Sequence, residues 1–174
     1  TLRSTQRMTA ILDTLMTAAR AEARSNPGVC DVGAAARHAI EAVDADASRR
    51  GVTVELSAPQ ATRAGADAEV VERILAPLLE NAVRFARSAV TVRVERTGPT
   101  IVLEVADDGP VVPPGNLDRV FEPGVTFAPT GEPAHDGAGL GLPLARRLAR
   151  AAGGDVDLRP CDGGALLQVR LPAG

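Results

Sequence analysis

The sequence predicts an α+β protein, a two-layer α/β sandwich in which a sheet packs on helices, preceded by one long helix. Three observations predict it. The elements run helix, helix, strand, helix, two strands, long loop, helix, two strands, so antiparallel strands and helices cluster instead of alternating as in a doubly wound parallel sheet. Each pair of strands is joined by a short Gly-containing connection, as hairpins are. The chain has 174 residues, 45% hydrophobic and 24% charged, the balance of a soluble domain with an appendage.

The elements follow in order. Met8, Ile11, Leu12, Leu15, Met16 and Ala19 form one apolar stripe at helical spacing, predicting an amphipathic helix over residues 1–25 that Ser25-Asn26-Pro27-Gly28 ends. Such a stripe needs a partner, either the following domain or other helices in a bundle. Asp31 can cap a second helix over about 32–49, with Ala36, Ile40 and Val43 on one side. Val52 to Leu56 alternates as a strand. Asp67 can cap a long helix running to about Arg87, and Pro77 inside it should kink it, at a cost of about 3 kcal/mol in an unrelieved interior. Ala89–Glu95 and Thr100–Ala106 pair across Thr97-Gly98-Pro99. Residues 107–138 are rich in Gly and Pro, with a helical turn near 115–120, and a loop of this length in a compact domain is commonly a functional lid or disordered. A helix from about Leu140 to Ala152 stops at Gly153-Gly154. Asp155–Arg159 and Ala165–Leu171 form the last hairpin.

Composition excludes several functions. The net charge of −3 and the three aromatic residues, Phe85, Phe121 and Phe127, argue against nucleic acid, which calls for a basic face or stacking platforms. All 19 basic residues are Arg, so the Lys of a Walker A loop, of a protein-kinase fold and of a pyridoxal phosphate enzyme is missing. Cys30 and Cys161 are isolated thiols, compatible with a reducing compartment. No apolar run reaches the roughly 18 residues of a membrane span, and no signal peptide opens the chain. It starts at Thr1 instead of Met, so a piece of a longer protein is expected.

Three features could carry chemistry. In Glu80-Asn81-Ala82-Val83-Arg84, Asn81 and Arg84 share a helix face and suit a metal-phosphate group. Asp107-Asp108-Gly109-Pro110 places a carboxylate at a strand end, where it can accept from an adenine amino group while Gly permits close backbone approach. Gly137-Ala138-Gly139-Leu140-Gly141-Leu142 leads into a helix whose N-terminus favours phosphate. It follows a loop and not a strand, so the dinucleotide-binding fingerprint fails. Each alone is ordinary; in this order they reinforce one another.

With these residues in place, the chain resembles the ATP-binding domain of sensor histidine kinases, in the wider group of gyrase-type, chaperone-type and mismatch-repair ATPases. LLENAVRFA looks like the N box, DDGP the G1 box, VFEPG with Phe121 the F box, GAGLGL the G2 box, and GGDVDL…GGALLQVRLP the closing hairpin. The resemblance covers about residues 30–174 and implies the Bergerat fold, with a mixed, mostly antiparallel sheet. It implies a catalytic domain over 28–174, with residues 1–27 as the second helix of the dimerisation hairpin.

It further implies ATP and Mg²⁺ as ligands, with Asn81 holding Mg²⁺ and Arg84 replacing the usual N-box Lys. Asp107 would read adenine, and Gly109 would shape the turn. Gly137, Gly139 and Gly141 would line the phosphates within a lid over 122–138, and Phe85, Val111, Phe121, Leu140 and Leu142 complete the expected ATP-binding set. The implied enzyme is an ATP-dependent protein-histidine kinase, passing the γ-phosphoryl group to a His on the dimerisation helix and then to a response-regulator receiver domain. Its partners would be a second copy or a separate His-bearing chain, and its place cytoplasmic, alone or as part of an inner-membrane sensor. No residue is singled out as catalytic, because neither His38 nor His135 sits in the family's phosphoacceptor motif; His38 reads as a helix surface residue. Pro77 stands where the family has Asn, Val111 is the third small residue of G1, and the Arg after the F box is replaced by Val125-Thr126. These departures leave two alternatives: a nucleotide-binding or dimerisation module with weak turnover, and an anti-sigma-type Ser kinase.

Overall fold

A computed structural model describes residues 28–59, 62–126, 139–161 and 163–174, together with residues 8, 9, 12, 13, 15, 16, 19 and 20 near the N-terminus. Those eight residues are helical, and Met8, Leu12 and Met16 are exposed. The main body follows the expected order: β1 (Cys30–Asp31), α1 (Val32–Arg50), β2 (Thr53–Ser57), β3 (Arg63–Ala64), α2 (Ala68–Phe85), β4 (Ala89–Thr97), β5 (Thr100–Asp107), α3 (Gly141–Ala151), β6 (Asp155–Cys161) and β7 (Gly164–Pro172). Short 3-10 turns at Pro114–Asn116 and Arg119–Phe121 occupy the expected helical turn.

Five strands form one sheet in the order β2-β4-β5-β7-β6. Only β2 runs parallel to its neighbour, β4, because α2 carries the chain over the sheet between them. The remaining pairs are antiparallel, so the sheet is mixed as expected. A second, two-stranded ribbon, Cys30–Asp31 against Arg63–Ala64, was not expected; two residues per strand are too few for alternation to register.

Period-two patterning decides the faces. Val90, Val92 and Val94 of β4, Ile101, Leu103 and Val105 of β5, and Leu167, Val169 and Leu171 of β7 point to the buried side. Against them α2 presents Ile74, Leu75, Leu78 and Leu79, each fully buried and stabilising by about 1.5–3 kcal/mol. The buried stripe of α1 is small, Ala35, Ala36, Ala39, Val43 and Ala47, and it packs on α2.

Two helix-end expectations resolve differently. Asp31 caps α1, accepting from the Ala34 N–H at 3.1 Å. Asp67 occupies the N-cap position of α2, but its side chain makes no cap hydrogen bond; its carbonyl accepts from Val70 and Val71 N–H, and its carboxylate lies against Gly28. Pro77 lies within α2, and the helix continues through it to Phe85. The side chain faces Gly141 at the start of α3, where a Cβ would meet Pro77 Cβ at 3.0 Å.

Candidate functional site

The turn after β5 and the start of α3 both pack on α2, the first at Phe85 and the second at Pro77. On α2, helical spacing puts Asn81 and Arg84 on one face, both half-buried, and the Arg84 guanidinium lies 5.3 Å from the Phe85 ring centre. Asp107 is the last residue of β5, and its Oδ1 accepts from the Gly109 N–H at 2.8 Å. Gly109 is buried against the end of α2. A Cβ there would run into the Phe85 carbonyl oxygen and stand 2.6 Å from Asp107 Oδ1, so only glycine lets the turn sit this close to the helix.

Burial pushes the Asp107 carboxyl above the usual Asp range; backbone N–H groups of Gly109 and Ala165 pull the other way, and the neighbouring Asp108 charge adds to the rise. No basic side chain figures among these influences. Asp107 is thus a half-buried acceptor held against the end of α2, and among the described residues no basic side chain offsets its charge.

The third element is α3. Leu140 occupies its N-cap position and no side chain caps it. Gly141 and Leu142 N–H groups therefore lack intrahelical acceptors, and Pro143 has no N–H, leaving a helix start that suits an anion. Gly139, at φ +62, donates no side chain to this turn; its carbonyl accepts from Gly124 N–H at 3.0 Å. A Cβ on Gly139 would lie 2.7 Å from the Gly124 carbonyl carbon, so the backbones of Gly124 and Gly139 meet directly. Gly137, Phe127 and His135 lie outside the described residues.

The expected residues are thus not all brought together. Asp107 and Gly109 abut the end of α2 at Phe85, next to Arg84, Gly141 abuts Pro77 one turn before Asn81 on the same helix, and Leu142 packs against the core. Val111 is exposed beyond the turn. Phe121 packs on α3, its ring 4.6 Å from the Arg146 guanidinium. Phe121 and Arg146 line a cavity of about 650 Å³ with Asp118, Glu122 and Pro143, and neither Asn81 nor Asp107 borders it.

Sequence reading missed two sets of residues. Arg146 bonds Asp155 at 3.0 Å and, with Arg150, ties α3 to the edge strand β6; burial opposes the Asp155 charge, the two guanidinium groups outweigh it, and its pKa falls to about 2. Asp108 accepts hydrogen bonds from the segment after α2, described below; its presence in DDGP was visible, its partners were not. His38 is exposed on α1, as expected, with Nδ1 3.0 Å from Glu72 on α2.

Comparison with known proteins identifies the family and the fold. Residues 66–174 match the family model of histidine kinase-, DNA gyrase B-, and HSP90-like ATPases. The chain is 36% identical over 146 residues to the sensor protein CutS of Streptomyces coelicolor, covering 82% of this chain and 35% of CutS. It is 36% identical over 137 residues to the sensor protein RstB of Escherichia coli, covering 76% of this chain and 30% of RstB. The chain therefore spans about a third of the length of these relatives. Among solved structures, full-length ShkA in complex with AMPPNP superposes with a TM-score of 0.78 at 26% identity, over 99% of this chain and 37% of ShkA. The Acinetobacter baumannii histidine kinase AdeS shares the fold, with a TM-score of 0.76 at 19% identity over 98% of this chain and 81% of AdeS. With the family model covering the whole sheet from β4 onward together with α2 and α3, the chain belongs to the histidine kinase-, DNA gyrase B- and HSP90-like ATPases, as the ATP-binding catalytic domain of sensor histidine kinases.

Proposed function

We propose that the chain binds Mg-ATP against α2 and donates the γ-phosphoryl group to a histidine on a dimerisation helix, for onward transfer to a response-regulator receiver domain. One observation supports the reading: the turn that carries the Asp107 carboxylate abuts the end of α2 at Phe85, next to Arg84, and the uncapped start of α3 abuts the same helix at Pro77, one turn before Asn81. The Asp107 carboxylate accepts from the adenine amino group, while Gly109 keeps the turn low enough for the purine to lie against it. Arg84 and the Gly141 and Leu142 N–H groups take phosphate oxygens.

The residues present suit a magnesium ion that arrives with its nucleotide. Among the described residues no three His, Cys, Asp or Glu side chains cluster into a cage. Mg²⁺ keeps several waters and takes one or two protein ligands beside phosphate oxygens, a demand that the Asn81 amide oxygen meets. When bound, the ion neutralises charge on the phosphate oxygens. The protein's own part is positioning: the nucleotide is held at both ends so that an imidazole nitrogen of the acceptor attacks the γ-phosphorus. The bond to the β-phosphate oxygen breaks, and ADP departs with the electron pair.

Residues 1–27 fit the second helix of a dimerisation hairpin, since Met8, Leu12 and Met16 expose an apolar stripe on a helical stretch. No helix of the described residues is long and apolar enough to cross a membrane. The test is phosphotransfer: the chain, radiolabelled Mg-ATP and a hairpin bearing a His-acid motif are mixed, and acid-labile phosphohistidine is counted. Label on the hairpin, lost with Asn81→Ala, is the expected result; ATP binding with no label refutes the kinase reading and leaves a nucleotide-binding module.

A further inference from the structure

Asp108, next to Asp107, accepts five hydrogen bonds from the segment that follows α2. Its Oδ1 accepts from the N–H groups of Arg87 at 2.8 Å, Ser88 at 3.0 Å and Ala89 at 3.2 Å. Its Oδ2 accepts from Ser88 Oγ at 2.6 Å and Ser88 N–H at 3.1 Å. Three successive N–H groups form a concave anion cradle, and here the anion is a side chain of the protein itself. The Ser88 hydroxyl and these N–H groups hold the Asp108 carboxyl well below the usual Asp range.

The position of this cradle gives it a consequence. Arg87-Ser88 is the link between the end of α2 and β4, and Asp108 directly follows Asp107. Asp108 N–H also donates to the Ala89 carbonyl at 3.3 Å, and Gly109 abuts the Phe85 carbonyl. The purine end of the site hangs on the turn at 107–109, and the phosphate end hangs on Asn81 and Arg84 of α2. A strand end and a helix end joined only by packing could slide; joined by a charge in a backbone cradle, they keep one separation.

We infer that Asp108 is a positioning residue that sets the spacing between the adenine-reading turn and the metal- and phosphate-holding end of α2, so that one ligand engages both. The inference rests on the proposed nucleotide site. A ligand that spans both ends feels the spacing, because its second contact is intramolecular once the first is made. A ligand that uses only the purine end does not.

The experiment therefore compares two ligands. Mg-ATP and adenosine are titrated as competitors of a fluorescent ATP analogue on the wild-type chain and on Asp108→Ala, Asp108→Asn, Ser88→Ala and Asp107→Asn. In Asp108→Ala, Mg-ATP should weaken roughly tenfold or more relative to adenosine, since displacement by about an ångström costs spanning ligands heavily. Asp108→Asn, which keeps one acceptor oxygen in the cradle, should restore most of the ratio. Ser88→Ala, which removes one donor and no backbone bond, should shift the ratio in the same direction by less, and keeps the idea testable if Asp108→Ala does not fold. An ATP-to-adenosine ratio unchanged in all three variants, whether both affinities hold or both fall together, overturns the inference. Asp107→Asn is the control for the site: it should weaken both ligands, and if it weakens neither, the site assignment fails and not the coupling.

Discussion

Replacing Asp107 by Asn tests the site most sharply, because the structure predicts opposite effects on binding and on stability. The substitution is nearly isosteric, and the amide oxygen can keep the 2.8 Å bond from the Gly109 N–H. The amide NH₂ then stands where the second carboxylate oxygen was, and it meets the adenine amino group donor to donor. A hydrogen bond to a charged acceptor is worth about 1.5–3 kcal/mol, so ATP affinity should fall roughly 10- to 150-fold. Stability should move the other way. Burial raises the folded-state pKa of Asp107 above its unfolded value. Such a group favours the fold most below its unfolded pKa and loses that contribution as pH rises through the folded pKa. At neutral pH the ionised carboxylate is therefore a burden on the fold, increased by the Asp108 charge, and Asn removes it. Thermal melts at pH 7 should place the variant at or above the wild-type Tm, with the difference shrinking on acidification. Calorimetric titration with Mg-ATP gives the affinity. An affinity within twofold of wild type, or a Tm several degrees lower at pH 7, would refute the reasoning: the first removes Asp107 from the site, the second makes it structural.

Other outcomes follow from the same geometry. ATP affinity should decline on acidification at a higher pH than an ordinary Asp would dictate, because protonated Asp107 loses its free acceptor; titrations across pH 4–7 with wild type and Asp107→Asn check this, and only the wild type should show the step. Gly109→Ala forces a methyl into the Phe85 carbonyl, and should cost about 1–3 kcal/mol of stability together with ATP binding, read by denaturant melts and titration. Arg146→Ala removes the ion pair to Asp155 and the contact with the Phe121 ring, and should lower stability by about 1–2 kcal/mol while leaving ATP affinity within a fewfold of wild type. The stabilising charge of Asp155, whose folded pKa is depressed to about 2, is present above its unfolded pKa and is lost as pH falls through the folded one. The Tm gap between Arg146→Ala and wild type should therefore close in acid.

The local pattern of the sequence determined the sheet faces, the helices and the candidate motifs, because these depend on neighbours two to four residues apart. Val90-Thr91-Val92 alternates whatever its partner, and Ile74, Leu75, Leu78 and Leu79 form a stripe before anything packs on it. The same locality explains why Asn81 and Arg84 could be placed on one face and Asp107 at a strand end. The surroundings of Pro77 were not local: the helix runs on past it to Phe85, and its side chain lies against Gly141 at the start of α3. Only the tertiary structure decided the parallel pairing of β2 with β4, the ribbon of Cys30–Asp31 with Arg63–Ala64, and the packing of Phe121 on Arg146 of α3. It also decided the hydrogen bonds of Asp108, whose donors lie 19 to 21 residues earlier in the chain, on a turn that carries no sequence signal of its own. Such contacts depend on which backbone groups the packed chain leaves without partners, and no pattern of side chains along a single segment records that.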